Sequence, residues 1–134
     1  MAKVIKIHHI GIAVSDTDSA TSFWRDALGL SLDHIEDVPS QKAQVSFFPI
    51  GESEIELVKP TTDDSSVAKF LSDRGAGIHH LCLQVDNIQE MLDDLKSKNI
   101  RLVNETPLEA EGRLMAFIHP KSASGVLVEL YQVL

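Results

Sequence analysis

Two short stretches of the chain repeat each other, and each contains a pair of histidines. One reads IHHIGIAV near the start, and the other reads IHHLCLQV just past the middle. A glutamate in an apolar run follows each stretch, since Glu56 comes 47 residues after His9 and Glu129 comes 49 residues after His80. Imidazole nitrogens and carboxylate oxygens bind divalent metal ions, so the repeated His-then-Glu pattern predicts a metal site.

Strand periodicity indicates which histidine of each pair faces that site. Both stretches are β-rich, and alternate side chains of a strand point to opposite faces. His9 shares its face with the small residues Gly11 and Ala13, which are expected to leave open space above the imidazole, while the aliphatic residues between them face a core. His80 occupies the corresponding position in the second stretch. The other two histidines have the opposite parity and are interpreted as structural, namely His8 and His79.

The two glutamates strengthen this interpretation because each is flanked by aliphatic residues. An ionised carboxylate in an apolar strand is costly to bury without a partner. A cation shared by Glu56 and Glu129 would remove that cost, and neutral imidazoles would complete its ligand set. The sequence therefore predicts four metal ligands, His9, Glu56, His80 and Glu129.

Composition limits the classes of protein that need to be considered. The chain has 134 residues, of which 43% are hydrophobic and 24% charged, and this is typical of one soluble globular domain. A net charge of −8 argues against binding to nucleic acid or to an anionic membrane. The only cysteine, Cys82, fits a reducing compartment and is interpreted as a small buried residue without a catalytic role. No signal segment or membrane span is predicted, so a cytoplasmic location is expected.

The predicted elements suggest an α+β fold in which a βαβββ unit is duplicated. Module one covers about residues 1–60, a linker with a short helix covers about 61–77, and module two covers about 78–134. Phe23 and Trp24 in the first helix are predicted to lie in the core. The helices are predicted at 17–28, 65–74 and 87–98, and the later strands at 30–37, 43–50, 53–59, 78–85, 101–104, 112–119 and 125–132.

Several runs of the sequence resemble a known family. They are SVAKFL from Ser66, GIHH from Gly77, HPKS from His119, GVLVEL from Gly125, and PIGE followed by IEL from Pro49. Over nearly its whole length the chain resembles the vicinal oxygen chelate superfamily, and within it the methylmalonyl-CoA epimerase family. The resemblance implies two tandem βαβββ modules that form a curved mixed sheet around a divalent metal, with ligands at the same four positions.

The implied reaction is epimerisation of methylmalonyl-CoA by transfer of the α-proton. The carbon acid is weak, so the developing enolate needs stabilisation, which a divalent metal ion supplies as a Lewis acid. Mixed nitrogen and oxygen ligands suit Co, Mn, Ni or Zn. Glu129 is the predicted catalytic residue for one proton transfer. Some relatives carry a second glutamate where this chain has Val45, so the second acid or base is left open among Gln41, Gln44 and Glu52.

An acyl-CoA substrate carries phosphates, which an acidic protein must meet with local positive charge. The predicted substrate-binding residues are Lys121, Ser122 and Gln41. Other basic side chains in or near the resembling runs are further candidates for the phosphates, namely Lys69, Arg74 and Arg113. The resemblance also implies a homodimer.

Two other functions remain compatible with the same residues. A glyoxalase I-type lactoylglutathione lyase also uses His and Glu ligands and moves a proton beside a carbonyl. A binding protein of the same fold would sequester small molecules without a metal, although retention of all four ligands weighs against it. An extradiol dioxygenase fits less well, because that chemistry uses two histidines and only one carboxylate.

Overall fold

Eight strands and three helices follow one another along the chain in an order that repeats. The structure is a computed structural model and describes all of residues 1–134. Helix α1 is α-helical over Thr17–Thr21 and continues as a π-helix over Ser22–Ala27. The other elements are β1 (Val4–Ala13), β2 (His34–Val38), β3 (Ala43–Ile50), β4 (Ser53–Pro60), α2 (Ser66–Arg74), β5 (Gly77–Val85), α3 (Ile88–Ser97), β6 (Leu108–Ala110), β7 (Arg113–Ile118) and β8 (Val128–Val133).

The α+β class with mixed strand pairing, predicted from the sequence, is confirmed. Parallel pairs join β1 to β4 and β5 to β8, while the pairs β2·β3, β3·β4, β6·β7 and β7·β8 are antiparallel. The chain divides into two compact units. We name His9–His79 the central unit, and Met1–His8 together with His80–Leu134 the terminal unit.

In the central unit the strands lie in the order β2-β3-β4-β1, and helices pack on both faces of this sheet. Trp24 of α1 packs on one face against Phe48 and Leu57. Val67 of α2 packs on the other face, where it contacts a small aliphatic cluster that includes Val45. The second face also carries His9 and Glu56, so α2 covers part of the surface on which the predicted ligands lie.

In the terminal unit the strands lie in the order β5-β8-β7-β6, with one helix on one face. Ile88 and Leu92 of α3 are completely buried against Val85, Ala116 and Leu130. Since Glu129 precedes Leu130 on β8, it points to the opposite face from this core. The helical core thus positions β8 without covering the glutamate.

Polar side chains begin each helix where the sequence predicts it. Asp16 accepts hydrogen bonds from the amides of Asp18 and Ser19 at 3.1 and 3.3 Å. Ser65 caps α2 and Asn87 caps α3, and each accepts from the amide three residues later at 3.0 Å. These contacts satisfy amides that the first turn of a helix leaves without partners.

Three of the predicted strands differ from the structure. The strand predicted at 125–132 begins only at Val128, because Gly125 belongs to the preceding turn. The strand predicted at 30–37 begins only at His34. The strand predicted at 101–104 is wrong: it is reduced to a single bridge between Leu102 and Ile118, while the unpredicted β6 pairs with β7 further along. The cause lies at Asn104, whose side-chain oxygen accepts the Phe117 amide at 2.8 Å. A side chain therefore replaces the backbone partner that a continuing strand would supply.

The prediction for the first helix is correct for Trp24 and wrong for Phe23. Trp24 packs in the core beneath α1, whereas Phe23 is 53% exposed and contacts Trp24 edge to face. The helix ends with a wide turn in which the Leu28 amide donates to the Phe23 carbonyl, five residues earlier. Gly29 then reverses the chain with φ +89°, a conformation that favours glycine.

No helix of the chain combines the length and the apolar character needed to cross a membrane.

Candidate functional site

A buried histidine and a buried glutamate meet on neighbouring strands of the central unit. Nδ1 of His9 lies 3.0 Å from Oε2 of Glu56. Strands β1 and β4 are parallel, and the residue opposite Glu56 in the register is Gly11, two positions after His9. Because Gly11 has no side chain, the Glu56 carboxylate can extend along its face toward the imidazole.

The terminal unit repeats this arrangement with its own histidine and glutamate. Nε2 of His80 lies 3.5 Å from Oε1 of Glu129. Strands β5 and β8 are also parallel, and Glu129 is opposite Cys82, two positions after His80. A small side chain again occupies the position beside the glutamate, so the two units share strand direction, register and residue sizes.

Burial makes these two pairs unusual for ionisable side chains. The relative exposures of His9, Glu56, His80 and Glu129 are 5%, 8%, 7% and 4%. The imidazole nitrogen and the carboxylate oxygen of each pair are donors of the kind that bind a divalent cation.

The space beside His9 differs from the expectation of an open face. Ala13 is completely buried and packs in the cluster that includes Val58 of β4 and Val67 of α2. The prediction that Ala13 leaves open space is therefore wrong, because α2 covers this end of the face. The sequence locates α2 but contains no local signal for the face on which it packs.

The site in the central unit contains a second acid, Glu54, which the sequence analysis does not identify. Glu54 is the register partner of His9, and ligand atoms of His9, Glu54 and Glu56 all lie within 4.8 Å of one another. Its signal is simple strand parity, since residues 54 and 56 of one strand share a face.

The two histidines of opposite parity make aromatic packing contacts. The His8 ring stacks on Tyr131 at a centroid distance of 4.2 Å. The His79 ring meets Phe70 of α2 edge to face at 5.1 Å. Each contact lies within one unit.

Tyr131 was also missed, although it shares a strand face with Glu129. The Arg113 guanidinium lies 3.4 Å from the hydroxyl of Tyr131 and also lies over the Tyr131 ring. It forms an ion pair with the Glu111 carboxylate at 3.4 Å. Desolvation raises the pKa of Tyr131 above its ordinary value. Desolvation by itself lowers the pKa of Arg113. The electrostatic attraction and hydrogen bond to Tyr131, together with the charge of Glu111, outweigh it, so the pKa of Arg113 is raised. Since Arg113 already has these partners, it is a poorer phosphate ligand than its charge suggests.

The candidates for a second acid or base lie in different surroundings. Val45 is 3% exposed and packs in the aliphatic cluster beneath α2. Gln44 donates to the Asp37 carboxylate at 3.3 Å. Gln41 ends a 3₁₀ turn over Pro39–Gln41, and Glu52 is exposed in the turn between β3 and β4.

The other predicted substrate-binding residues lie on exposed surface. Lys121 and Ser122 belong to a 3₁₀ turn over Pro120–Ser122, and the Ser122 hydroxyl accepts the Arg101 amide at 2.9 Å. Lys69 and Arg74 are exposed on α2, where the Arg74 guanidinium lies 5.5 Å from the centre of the Phe70 ring.

Comparisons with known proteins show the family to which the chain belongs. The family model for the glyoxalase/bleomycin resistance protein/dioxygenase superfamily matches residues 8–117. The mitochondrial methylmalonyl-CoA epimerase of Mus musculus is 39% identical over 132 residues, which cover 97% of this chain and 74% of that protein. The crystal structure of methylmalonyl-CoA epimerase from Mycobacterium tuberculosis is 36% identical with a TM-score of 0.89, covering 98% of this chain and 89% of that one. A methylmalonyl-CoA epimerase in complex with methylmalonyl-CoA and NH4+ is 30% identical with a TM-score of 0.89, covering 98% and 96%. The chain therefore belongs to the glyoxalase/bleomycin resistance protein/dioxygenase superfamily and, within it, to the methylmalonyl-CoA epimerase family, as its sequence motifs predict.

Proposed function

We propose that this enzyme interconverts the R and S forms of methylmalonyl-CoA by moving the proton on the carbon between the thioester and the carboxylate. The observation that carries the proposal is the buried His–Glu pair, which occurs in both units at the same strand register. Membership of a family whose relatives are named for this reaction supports the choice of substrate.

The proposed ligands of a divalent metal ion are His9, Glu56, His80 and Glu129. Two imidazoles and two carboxylates form a mixed donor set that suits Co, Mn, Ni or Zn, and metal analysis of the purified protein would identify the ion. When bound, such an ion supplies Lewis-acid stabilisation of negative charge on the substrate oxygens. Glu54 is close enough to His9 to be tested as an additional ligand.

Glu129 is the proposed catalytic group for one of the two proton transfers. Its side chain is almost fully buried and is held 3.5 Å from His80 Nε2, so its orientation is restrained and water is largely excluded. Inversion requires a proton to leave one face of the carbon and return to the other, so either a second group acts or one group reaches both faces. Of the three candidates for that role, only Glu52 is an acid, because Gln41 and Gln44 carry amides.

Three polar side chains are proposed to contact the acyl-CoA. Lys121 and Ser122 lie in the turn between β7 and β8, directly before the strand that carries Glu129. Gln41 lies in the turn between β2 and β3 of the central unit. Lys121 is exposed and makes no ion pair, so its charge is available to a substrate phosphate.

A lactoylglutathione lyase remains the alternative activity, since it uses the same kinds of ligand and also moves a proton beside a carbonyl. No residue of the site favours it over the epimerase. Turnover of methylglyoxal with glutathione, assayed across several divalent metals, separates the two reactions. A metal-independent binding protein would instead retain affinity for its small molecule after chelation.

The direct test is conversion of one methylmalonyl-CoA epimer into the other by metal-loaded protein. We expect conversion that stops after chelation and returns when metal is restored. If neither epimer is converted with any of the four metals, the proposed substrate is wrong. The expected homodimer and the cytoplasmic location stay predictions, and sedimentation equilibrium tests the dimer.

A further inference from the structure

Arg101 and His119 lie directly opposite each other at the end of β7. The His119 amide donates to the Arg101 carbonyl at 2.9 Å, and the Val103 amide donates to the Phe117 carbonyl at 2.8 Å. Leu102 forms the bridge to Ile118 between them. The segment 101–103 therefore runs antiparallel to 117–119 even though it is not a full strand.

Parity places Arg101 and His119 on the face that carries Glu129. Phe117 is the register partner of Glu129, so their side chains share that face, and His119 follows Phe117 by two residues. Leu102 and Ile118, at the alternate positions, pack on the opposite face with the core beneath α3. Along the strand, His119 lies about 7 Å beyond Phe117.

The turn that follows adds a second positively charged side chain, Lys121. The Lys121 amide donates to Nδ1 of His119 at 3.0 Å, so the neutral imidazole carries its proton on Nε2. The Ser122 hydroxyl accepts the Arg101 amide and fixes the turn against the segment 101–103. We name Arg101, His119 and Lys121 the cation cluster.

The cation cluster lacks acidic partners, although the protein as a whole has a net charge of −8. Neither the guanidinium of Arg101 nor the ammonium of Lys121 forms an ion pair, and both residues are exposed. The pKa of His119 is lowered by desolvation and then by the two positive charges of Arg101 and Lys121. Both charges that act on this imidazole are positive, so a bound anion would reduce the electrostatic repulsion between these groups.

Between Glu129 and the cation cluster the face is apolar. Phe117 is half-buried there, and Val103 is 57% exposed beside it. A ligand with its reacting group at Glu129 and an anionic group some distance away would cross this strip. An acyl-CoA has these three parts in the same order, namely a thioester, a linker and phosphates.

We propose that Arg101, His119 and Lys121 form the subsite for a phosphate group of the CoA portion of the substrate. This inference rests on the proposed function for the identity of the ligand. The guanidinium, the ammonium and the Nε2 proton supply donors of the kind that bind a phosphomonoester or a pyrophosphate. The sequence predicts that Lys121 binds substrate. The geometry adds Arg101 and His119 to the residues of this subsite.

Binding of CoA itself tests the subsite without any turnover. In the wild-type protein, CoA should shift the imidazole proton resonances of His119 and raise the pKa of His119, because the phosphate adds a negative charge. R101Q and K121Q should each weaken CoA binding by roughly tenfold, since each loses a charge-assisted contact. K96Q, which removes an exposed positive charge from the last turn of α3, is the matched control and should bind CoA like the wild type.

Dephospho-CoA distinguishes the two kinds of phosphate. If the subsite binds the 3′-phosphate, dephospho-CoA should bind to the wild type as weakly as CoA binds to R101Q; if it binds the pyrophosphate, R101Q should weaken both ligands. Equal affinities of wild type, R101Q, K121Q and K96Q for CoA, with His119 resonances unchanged, would overturn the proposal. CoA binding with this pattern in a protein that fails to interconvert the epimers would refute the proposed reaction alone.

Discussion

Nδ1 of His9 lies 3.0 Å from Oε2 of Glu56, and the residue opposite Glu56 in the strand register is Gly11. In the terminal unit Cys82 takes the same place between His80 and Glu129. The duplicated motif therefore consists of three residues. A histidine is followed two positions later by a small residue, and the glutamate lies opposite that small residue on the parallel neighbouring strand. The small residue recurs in both units together with the proposed ligands.

Removal of either proposed glutamate ligand should reduce metal affinity. Mutation of a group that only hydrogen-bonds a metal ligand typically lowers metal affinity by roughly 10- to 100-fold. We expect Glu129→Gln and Glu56→Gln to lower it by more than that, because each removes a proposed ligand itself. Isothermal titration with Co(II) or Mn(II) measures this effect. Glu109→Gln removes an exposed charge from β6 and serves as the control for net charge.

Unchanged stoichiometry and affinity in both ligand variants would contradict the proposed ligand set. Glu54→Gln adds a separate comparison, because Glu54 is near His9 but was not among the predicted ligands. An affinity like that of the control would leave Glu54 outside the set.

Cys82 should tolerate a smaller residue and resist a larger one. The side chain is completely buried and opposite Glu129. Cys82→Ala should cost about 1 kcal/mol in the free energy of unfolding and keep turnover, as expected of a thiol without a catalytic role. Cys82→Leu should cost about 1–3 kcal/mol through overpacking and also weaken metal binding, because it crowds the His80–Glu129 contact. Loss of turnover in a folded Cys82→Ala protein that still binds metal would show that the thiol takes part in the reaction.

Two neighbouring aromatic residues should respond very differently to truncation. Trp24 packs beneath α1, and Trp24→Ala should lower the free energy of unfolding by roughly 2–4 kcal/mol, somewhat less than for a fully buried site. Phe23 is largely exposed, so Phe23→Ala should change it by no more than about 0.5–1 kcal/mol. Urea denaturation measures both, and equal losses would mean that Phe23 is part of the core.

This contrast illustrates what the sequence could and could not predict. Phe23 and Trp24 both follow the helical apolar pattern. The local sequence contains no signal for the π-helix that begins after Thr21. By contrast, the period of two in the strands predicts that His9 and His80, rather than His8 and His79, face the metal site, and both are buried in the structure. Strand parity is a local property of the backbone, whereas helix packing depends on tertiary contacts.

The segment 101–104 shows the same limit. Its composition is typical of a strand, but the Asn104 side chain takes the Phe117 amide and ends the pairing. The opposition of Arg101 and His119 follows from that pairing and could not be inferred from two residues 18 positions apart. Glu54 and Tyr131, however, could have been found by extending the parity argument by two residues.

Acid should selectively remove one contribution to stability. Asp64 is exposed, and hydrogen bonds from Lys42 and then Thr62, together with the charge of Lys42, lower its pKa from 3.8 to about 2. Because the folded-state pKa lies below the unfolded one, this stabilisation is fully present above about pH 4 and is lost as pH falls through about 2. The difference in unfolding free energy between wild type and Asp64→Asn should therefore be constant above pH 5 and disappear below about pH 2.

Asp63→Asn is the matched control, since Asp63 is exposed beside Asp64 and makes no ion pair. The control should show no such pH-dependent difference over this range. A similar curve for both variants would mean that the Lys42 contact contributes nothing specific.

Exchange of the α-proton tests the central claim most directly. Metal-loaded protein is incubated with one epimer of methylmalonyl-CoA in deuterium oxide, and the α-carbon is followed by NMR and mass spectrometry. We predict that deuterium enters the α-carbon as the epimers equilibrate, that Glu129→Gln abolishes this exchange, and that Glu109→Gln leaves it intact. Absence of both deuterium incorporation and epimer conversion in the metal-loaded wild-type protein would contradict the account.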